Sequence, residues 1–282
     1  MENTGAFWDG RAHLEPVRER DYPEKRVHTD LLRREISRGL SGRRGLRVLD
    51  AGGGAGRYSV PLAAGGHRVV HLDVSPAMLR LARKAARGVT GIEFMEGDIR
   101  DLSGFATAAF DVVLCLDSPL CFCVDDYAAV LGELCRLTRD CLILCLKNRT
   151  GLIADGVNFD LQQFGRLRTA PEVAATGTLR VTAEMRSRQP GLFPSWHAFT
   201  PAEIRGLLEN RGWSIDSLSA PGSLARFVNP ALLTRLFSDP DAYAEYLDFE
   251  ERFDADPGVL GLGAYAAGGL LVTARRKQPD PD

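Results

Sequence analysis

The chain has 282 residues, 45% hydrophobic and 26% charged, which is enough to bury one large core or two modest ones and excludes disorder as the main state. Thirty-five Lys plus Arg against thirty-seven Asp plus Glu leave a formal charge of -2, so no global basic field exists for nucleic acid or anionic membrane, and a polyanion partner would need a local patch. No run of about 18 uncharged apolar residues occurs, and Met1-Glu2-Asn3-Thr4 lacks the basic-then-apolar start of a secretory leader, so the expectation is a cytoplasmic protein with no membrane partner.

Residues 1–45 read as a separate leading helical element, with helical spacing from Glu24 to Arg38 through Val27, Leu31, Leu32 and Ile36. From residue 46 short apolar runs alternate with amphipathic stretches, the pattern of βαβ units around a parallel sheet covered on both faces. The predicted strands are Leu46 to Asp50, Arg68 to Asp73, Ile92 to Met95, Asp111 to Leu116 and Cys141 to Leu146. Ser75-Pro76 opens a helix over 77–86, with Ser at the cap and Pro in the first turn, and Asp125-Asp126 opens another over 127–137.

After Lys147 the rhythm breaks. Residues 148–198 read as an insertion over the sheet, containing an antiparallel pair, Leu179 to Arg186 and Phe193 to Phe199, joined across Gln189-Pro190-Gly191. Thr200-Pro201-Ala202-Glu203 signals a capping box and a helix to about Arg211, followed by a strand around Trp213 to Leu218, helix over about 229–254, and a last strand Leu270 to Ala274. The expected organisation is a helical lid (1–45), a main domain (46–275) with a lid insertion (148–198), and a frayed tail (276–282).

All six cysteines, Cys115, Cys121, Cys123, Cys135, Cys141 and Cys145, fall among Val, Leu, Ile and Phe. No C-x-x-C pair or neighbouring His accompanies them, so they read as reduced thiols packed as small hydrophobes, with a soft-metal role for Cys121 and Cys123 left open and no metal site expected.

The chemistry is carried by the end of the first strand, Asp50-Ala51-Gly52-Gly53-Gly54-Ala55-Gly56. Glycines let the backbone turn sharply and admit a ligand against the main chain, and the following helix offers free N–H donors. Asp73, closing the second strand, is placed to accept hydrogen bonds from ribose hydroxyls. The dinucleotide fingerprint G-x-G-x-x-G does not fit, because counting from Gly52 or Gly54 puts Arg57 or Ser59 at the last glycine. A carboxylate ahead of the glycines would repel a pyrophosphate but suits the ammonium of an amino acid.

These residues resemble motif I of the class I S-adenosylmethionine-dependent methyltransferases. The resemblance implies a Rossmann-like, doubly wound, mostly parallel seven-stranded α/β sheet and S-adenosyl-L-methionine as cofactor. It implies cofactor contacts from Asp50, Gly52, Gly53, Gly54, Asp73 and Val74, with Asp98 and Ile99 of Glu96-Gly97-Asp98-Ile99 at the adenine. Asp117, in Leu116-Asp117-Ser118-Pro119, would face the transferred methyl. Spacing is most similar to the tRNA 5-carboxymethoxyuridine methyltransferase group, in which an arginine of the leading helix reaches the cofactor carboxylate; Arg26 occupies the equivalent place. Ala264 stands where those tRNA enzymes carry an arginine.

Methyl transfer from a sulfonium needs alignment more than acid–base help. The candidate base is His197, with Asp117 the second candidate catalytic residue; His28 either faces the cofactor or simply sits on the leading helix. Trp8, Tyr22, Tyr58 and Trp196 are candidates for an aromatic wall, and Arg166, Arg168 and Arg180 for a clamp on an acidic substrate. The expected activity is methylation of oxygen or nitrogen on a small-molecule metabolite, with a tRNA acceptor as the alternative. A nicotinamide oxidoreductase and a non-catalytic cofactor-binding regulator are further alternatives. The sequence carries no signal of oligomeric state.

Overall fold

A computed structural model describes residues 4–262 and 269–277. Ala264 therefore lies outside the described residues, as does most of the expected tail. The central sheet has seven strands: β1 (Arg47–Ala51), β2 (Arg68–Asp73), β3 (Ile92–Glu96), β4 (Phe110–Cys115), β5 (Thr138–Lys147), β6 (Trp213–Ser219) and β7 (Gly269–Arg276). Their order is β3-β2-β1-β4-β5-β7-β6. The first five are parallel, and β7 runs antiparallel to both β5 and β6. This is the doubly wound α/β fold expected, and its strand order reverses between β1 and β4, where such sheets open a crevice at their carboxyl ends.

The inner strands β1, β2, β4, β5 and β7 are largely buried apolar runs because both faces are covered, whereas the edge strands β3 and β6 are only partly buried. In β5, Leu142, Leu144 and Leu146 join one core with Leu49, Leu131 and Leu208, whereas Cys141, Ile143 and Cys145 join the other with Val48, Leu32 and Ile36. The helix Pro23–Leu40 crosses that second face closely: a Cβ on Gly39 would lie 2.9 Å from Ile143 Cδ1. All six thiols are free and buried. Burial pushes Cys121 to about 11 and Cys123, Cys135, Cys141 and Cys145 to about 12, so they remain protonated and inert at neutral pH.

Local signals placed several helices. Ser75 accepts from Met78 N ahead of Pro76–Ala85, and Thr200 and Glu203 form the reciprocal capping box of Pro201–Glu209. The helical stretch expected over 229–254 is two helices, Pro230–Leu236 and Pro240–Asp254, because Asp239 caps a new start at Pro240.

The insertion differs from expectation. The long antiparallel pair shrinks to Thr178–Leu179 against Trp196–His197, and Ala183–Arg188 is a helix. The reason is local: Thr182 caps it by accepting from Met185 N, a start signal that outweighs alternation over so short a run. A 16-residue helix, Arg149–Phe164, precedes this segment, capped by Asn148. The last strand also extends to Arg276 through pairing with Trp213, so the expected tail begins later than residue 276. Among the described residues, no helix is long and apolar enough to cross a membrane.

Candidate active site

The glycine loop sits where the strand order reverses. Gly52 and Gly53 N–H both donate to Leu72 carbonyl oxygen, at 2.8 and 3.0 Å, tying the loop to the end of β2. Gly52 has φ 83°, and a Cβ there would lie 2.5 Å from Pro119 Cγ; a Cβ on Gly53 would lie 2.5 Å from the His71 ring. Any other residue would displace the loop from the β4 turn above it or from the imidazole beneath it.

Beneath the loop is a buried polar group absent from the sequence expectations. His71 Nε2 lies 3.1 Å from Gly54 carbonyl oxygen and Nδ1 2.6 Å from Ser59 Oγ, which also donates to Asp50 Oδ2. A histidine in the middle of an apolar strand, two residues before Asp73, was the available signal. Asp50 Oδ1 is buried with no hydrogen-bond partner among the described residues, and burial raises this carboxyl to about 6 despite the Ser59 hydrogen bond.

Asp73 Oδ2 accepts from Gly54 N and Oδ1 from Ser75 N, both at 2.8 Å. Burial raises its pKa, opposed by those two N–H groups. Asp98 accepts from Arg100 N and Arg100 Nη1, both at 2.9 Å. Asp50, Gly52, Gly53, Gly54, Asp73, Val74, Asp98, Ile99 and Asp117 all border one cavity of about 700 Å³, within the range of small-molecule and cofactor sites.

Asp117 adopts φ 58° at the end of β4. Its carboxylate receives Arg18 Nη1 at 3.0 Å and lies 3.1 Å from His28 Nε2. Burial would push it up, but Arg18 and His28 outweigh that and hold it well below the usual carboxylate range. It is therefore a permanent anion joining the N-terminal element to the sheet, and too weak a base to take a proton at neutral pH.

Two expected residues stand elsewhere. Arg26 does not border the cavity; it pairs with Asp30 at 3.7 Å and lies over the Phe237 ring at 4.3 Å. The helical period explains this, because Lys25 and His28 share one face of Pro23–Leu40 and Arg26 is turned about 100° away. Arg18, from the short helix before that one, and Lys25 border the cavity instead, as do Arg11, Arg57, Arg100 and Lys147. His197 is buried outside the cavity, with Nδ1 2.9 Å from Thr178 Oγ1, Nε2 2.8 Å from Glu203 Oε1, and its ring stacked on Tyr127 at 4.2 Å. It braces the ribbon against the helix Pro201–Glu209.

Of the aromatic candidates, Trp8, Tyr22 and Trp196 border the cavity. Tyr58 does too, but with its hydroxyl buried and unpartnered among the described residues. The insertion's arginines do not converge on the cavity: Arg168 pairs with Glu184 and Arg180 with Asp125.

A methyltransferase domain family matches residues 48–140, the segment from β1 into β5 that builds this loop and the two acids. The chain is 28% identical over 241 residues to a tRNA 5-carboxymethoxyuridine methyltransferase from Escherichia coli, covering 83% of this chain and 81% of the relative. It is 33% identical over 113 residues to a magnesium-protoporphyrin O-methyltransferase from Rhodobacter capsulatus, covering 39% of this chain and 48% of that one. The protein is an S-adenosylmethionine-dependent methyltransferase. Its fold is shared with the magnesium protoporphyrin IX methyltransferase of Synechocystis, crystallised with S-adenosylhomocysteine, at TM-score 0.55 and 21% identity over 90% of this chain and 86% of that one. The donor set fits that cofactor's chemistry: Asp50, which borders the cavity, has a buried carboxylate oxygen without a partner among the described residues, and a second acid, Asp73, closes β2.

Proposed function

We propose that this methyltransferase modifies an oxygen or nitrogen of a small-molecule metabolite held between the sheet edge and a two-part lid, residues 1–45 and 148–198. The observation carrying this reading is the enclosure of the cavity. Trp8 comes from the helix Thr4–Arg11, Phe193 and Trp196 from the insertion, and Phe122 from the turn after β4, and all four border the cavity that begins at the glycine loop. Such walls exclude water from a displacement that requires alignment.

In this reading Asp50 holds the cofactor ammonium, Gly52, Gly53 and Gly54 give it backbone contact, and Asp73 receives the ribose hydroxyls. Val74 and Ile99 flank the adenine and Asp98 takes its amino group. Arg18 and Lys25 replace Arg26 opposite the cofactor carboxylate. The bound cofactor supplies a methyl group on a sulfonium. Asp117 acts as a positioning residue, fixing Arg18 and His28 beside the loop, and His197 as a brace of the lid.

A second reading, a tRNA acceptor, is favoured by the Escherichia coli relative, whose similarity spans most of both chains. Against it stand the net charge of -2 and the pairing of Arg168 and Arg180 with acids. Incubating the protein with labelled methyl donor and separated metabolite and RNA fractions, followed by mass spectrometry, tests both. Label in the metabolite fraction is expected, whereas label confined to tRNA, with binding that collapses as salt is raised, would replace the first reading by the second.

A further inference from the structure

Lys147 ends β5 at the sheet's carboxyl edge, with its backbone pinned on both sides: its N–H donates to Cys121 Sγ at 3.1 Å and its carbonyl accepts from Phe199 N at 2.9 Å. The side chain enters the cavity among aromatic rings. Its ammonium lies 5.3 Å from the centroids of Phe122 and Phe193 and 5.9 Å from that of Trp196. Phe122 and Phe193 stack with an interplanar angle of 19°, and Trp8 packs against both at 5.7 and 5.9 Å. Three chain segments that are distant in sequence therefore build one aromatic box of four rings beside one cation.

Among the described residues no carboxylate forms an ion pair with Lys147. Asp117, the acid acting on it from a distance, is already shared by Arg18 and His28. Burial pulls the ammonium below the ordinary lysine value, and an incoming anion would stabilise its charged form.

The box by itself would attract a cationic acceptor through its ring faces. Lys147 already occupies that role, and a second positive charge in a low-dielectric cavity is repelled. A neutral acceptor leaves the ammonium without a counter-charge. Resting on the methyltransferase reading above, we infer that the acceptor is a flat organic anion, whose ring system lies in the box and whose anionic oxygen, of a carboxylate or an acidic phenol, meets Lys147. The step balances without a base: an oxygen lone pair of the anion forms the new O–C bond, the S–C bond breaks with its electrons left on sulfur, and the sulfonium becomes a neutral thioether. The product is a neutral ester or ether that no longer attracts Lys147, which favours its release.

The test is calorimetry on protein saturated with S-adenosylhomocysteine, using four probes of similar shape: 2-naphthoate, 4-nitro-1-naphtholate, 2-naphthamide and 2-naphthylmethylammonium. At least one anion is expected to bind tenfold or more tightly than the amide and the ammonium, and which anion wins separates carboxylate from phenolate. Lys147→Met should erase the preference and Lys147→Arg retain it, both with S-adenosylhomocysteine affinity and thermal midpoint close to wild type. Equal binding of naphthoate and naphthamide, preference for the ammonium, no anion binding at all, or a preference surviving in Lys147→Met would each overturn the inference. Failure to bind S-adenosylhomocysteine in the first titration would instead strike at the cofactor assignment itself.

Discussion

The hydrogen-bonded chain beneath the glycine loop links a residue to a measurable binding property. Gly54 carbonyl only accepts, so His71 Nε2 carries a hydrogen toward it, and Nδ1, Ser59 Oγ and Asp50 are left in one buried chain. Burial raises Asp50 to about 6. Above that pH the carboxylate is an anion that favours a bound ammonium, and below it the group is neutral and the attraction is lost. The affinity for S-adenosylhomocysteine should therefore fall about tenfold per pH unit below about 6 and be flat from 7 to 8, as read by calorimetry. Asp50→Asn should bind about 10- to 100-fold more weakly at pH 7.5, the loss of one charge-assisted hydrogen bond, and lose the acid-side dependence; a variant retaining that dependence would assign it to another group. That the loop and its acids share one cavity was legible, because a sharp turn at a strand end favours Gly and acids at the ends of neighbouring parallel strands meet at one sheet edge. Arg18 and Lys147 were not, because long side chains on an edge declare a role only once distant segments enclose them.

Elements were legible where capping and periodicity agreed, as at Ser75-Pro76 and Thr200-Glu203, and illegible where one element completes another. Asp9, from the helix Thr4–Arg11, accepts from Ser75 Oγ at 2.6 Å and from Ala77 N at 2.9 Å. It thus supplements the cap of the helix Pro76–Ala85 from a chain segment more than sixty residues away. These hydrogen bonds, which outweigh the small cost of burial, hold the Asp9 carboxyl below its ordinary value. The group favours the docked state, fully so above the ordinary aspartate range, and the benefit fades as pH falls through its lowered value. Removing a cap of this kind costs about 1 kcal/mol. Asp9→Ala should lower the thermal midpoint by about 2–4 °C, a shift seen by calorimetry, and leave the affinity for S-adenosylhomocysteine within a few fold. An unchanged midpoint would mean that Asp9 does not supply the cap in solution.

For the molecule as a whole, residues 4–21 cover the site while contributing little to the core. Across residues 4–21 only Gly5 and Ala12 are buried. Polar ties do the holding: Arg57 to Glu15 at 2.9 Å and to Glu19, Arg18 to Asp117 at 3.0 Å, and Asp9 to the helix Pro76–Ala85. A segment with few apolar contacts opens at low free energy, which suits a cover that must admit a cofactor and release a methylated product. Asp117 is the tie most open to a direct test, because its carboxyl is held well below the usual range. The docked state gains from it at every pH above the ordinary aspartate value and loses that gain only as pH drops through the lowered one. Asp117→Asn at pH 7 removes the charge while keeping the shape. With hydrogen bonds to charged groups contributing about 1.5–3 kcal/mol, amide exchange across residues 4–21 should accelerate tenfold or more while the strands β1, β4 and β5 exchange as before. Added S-adenosylhomocysteine should restore part of the protection through Arg18 and Lys25. Exchange that rises equally in the segment and the sheet would show that Asp117 stabilises the whole fold, and that the cover does not open independently of it.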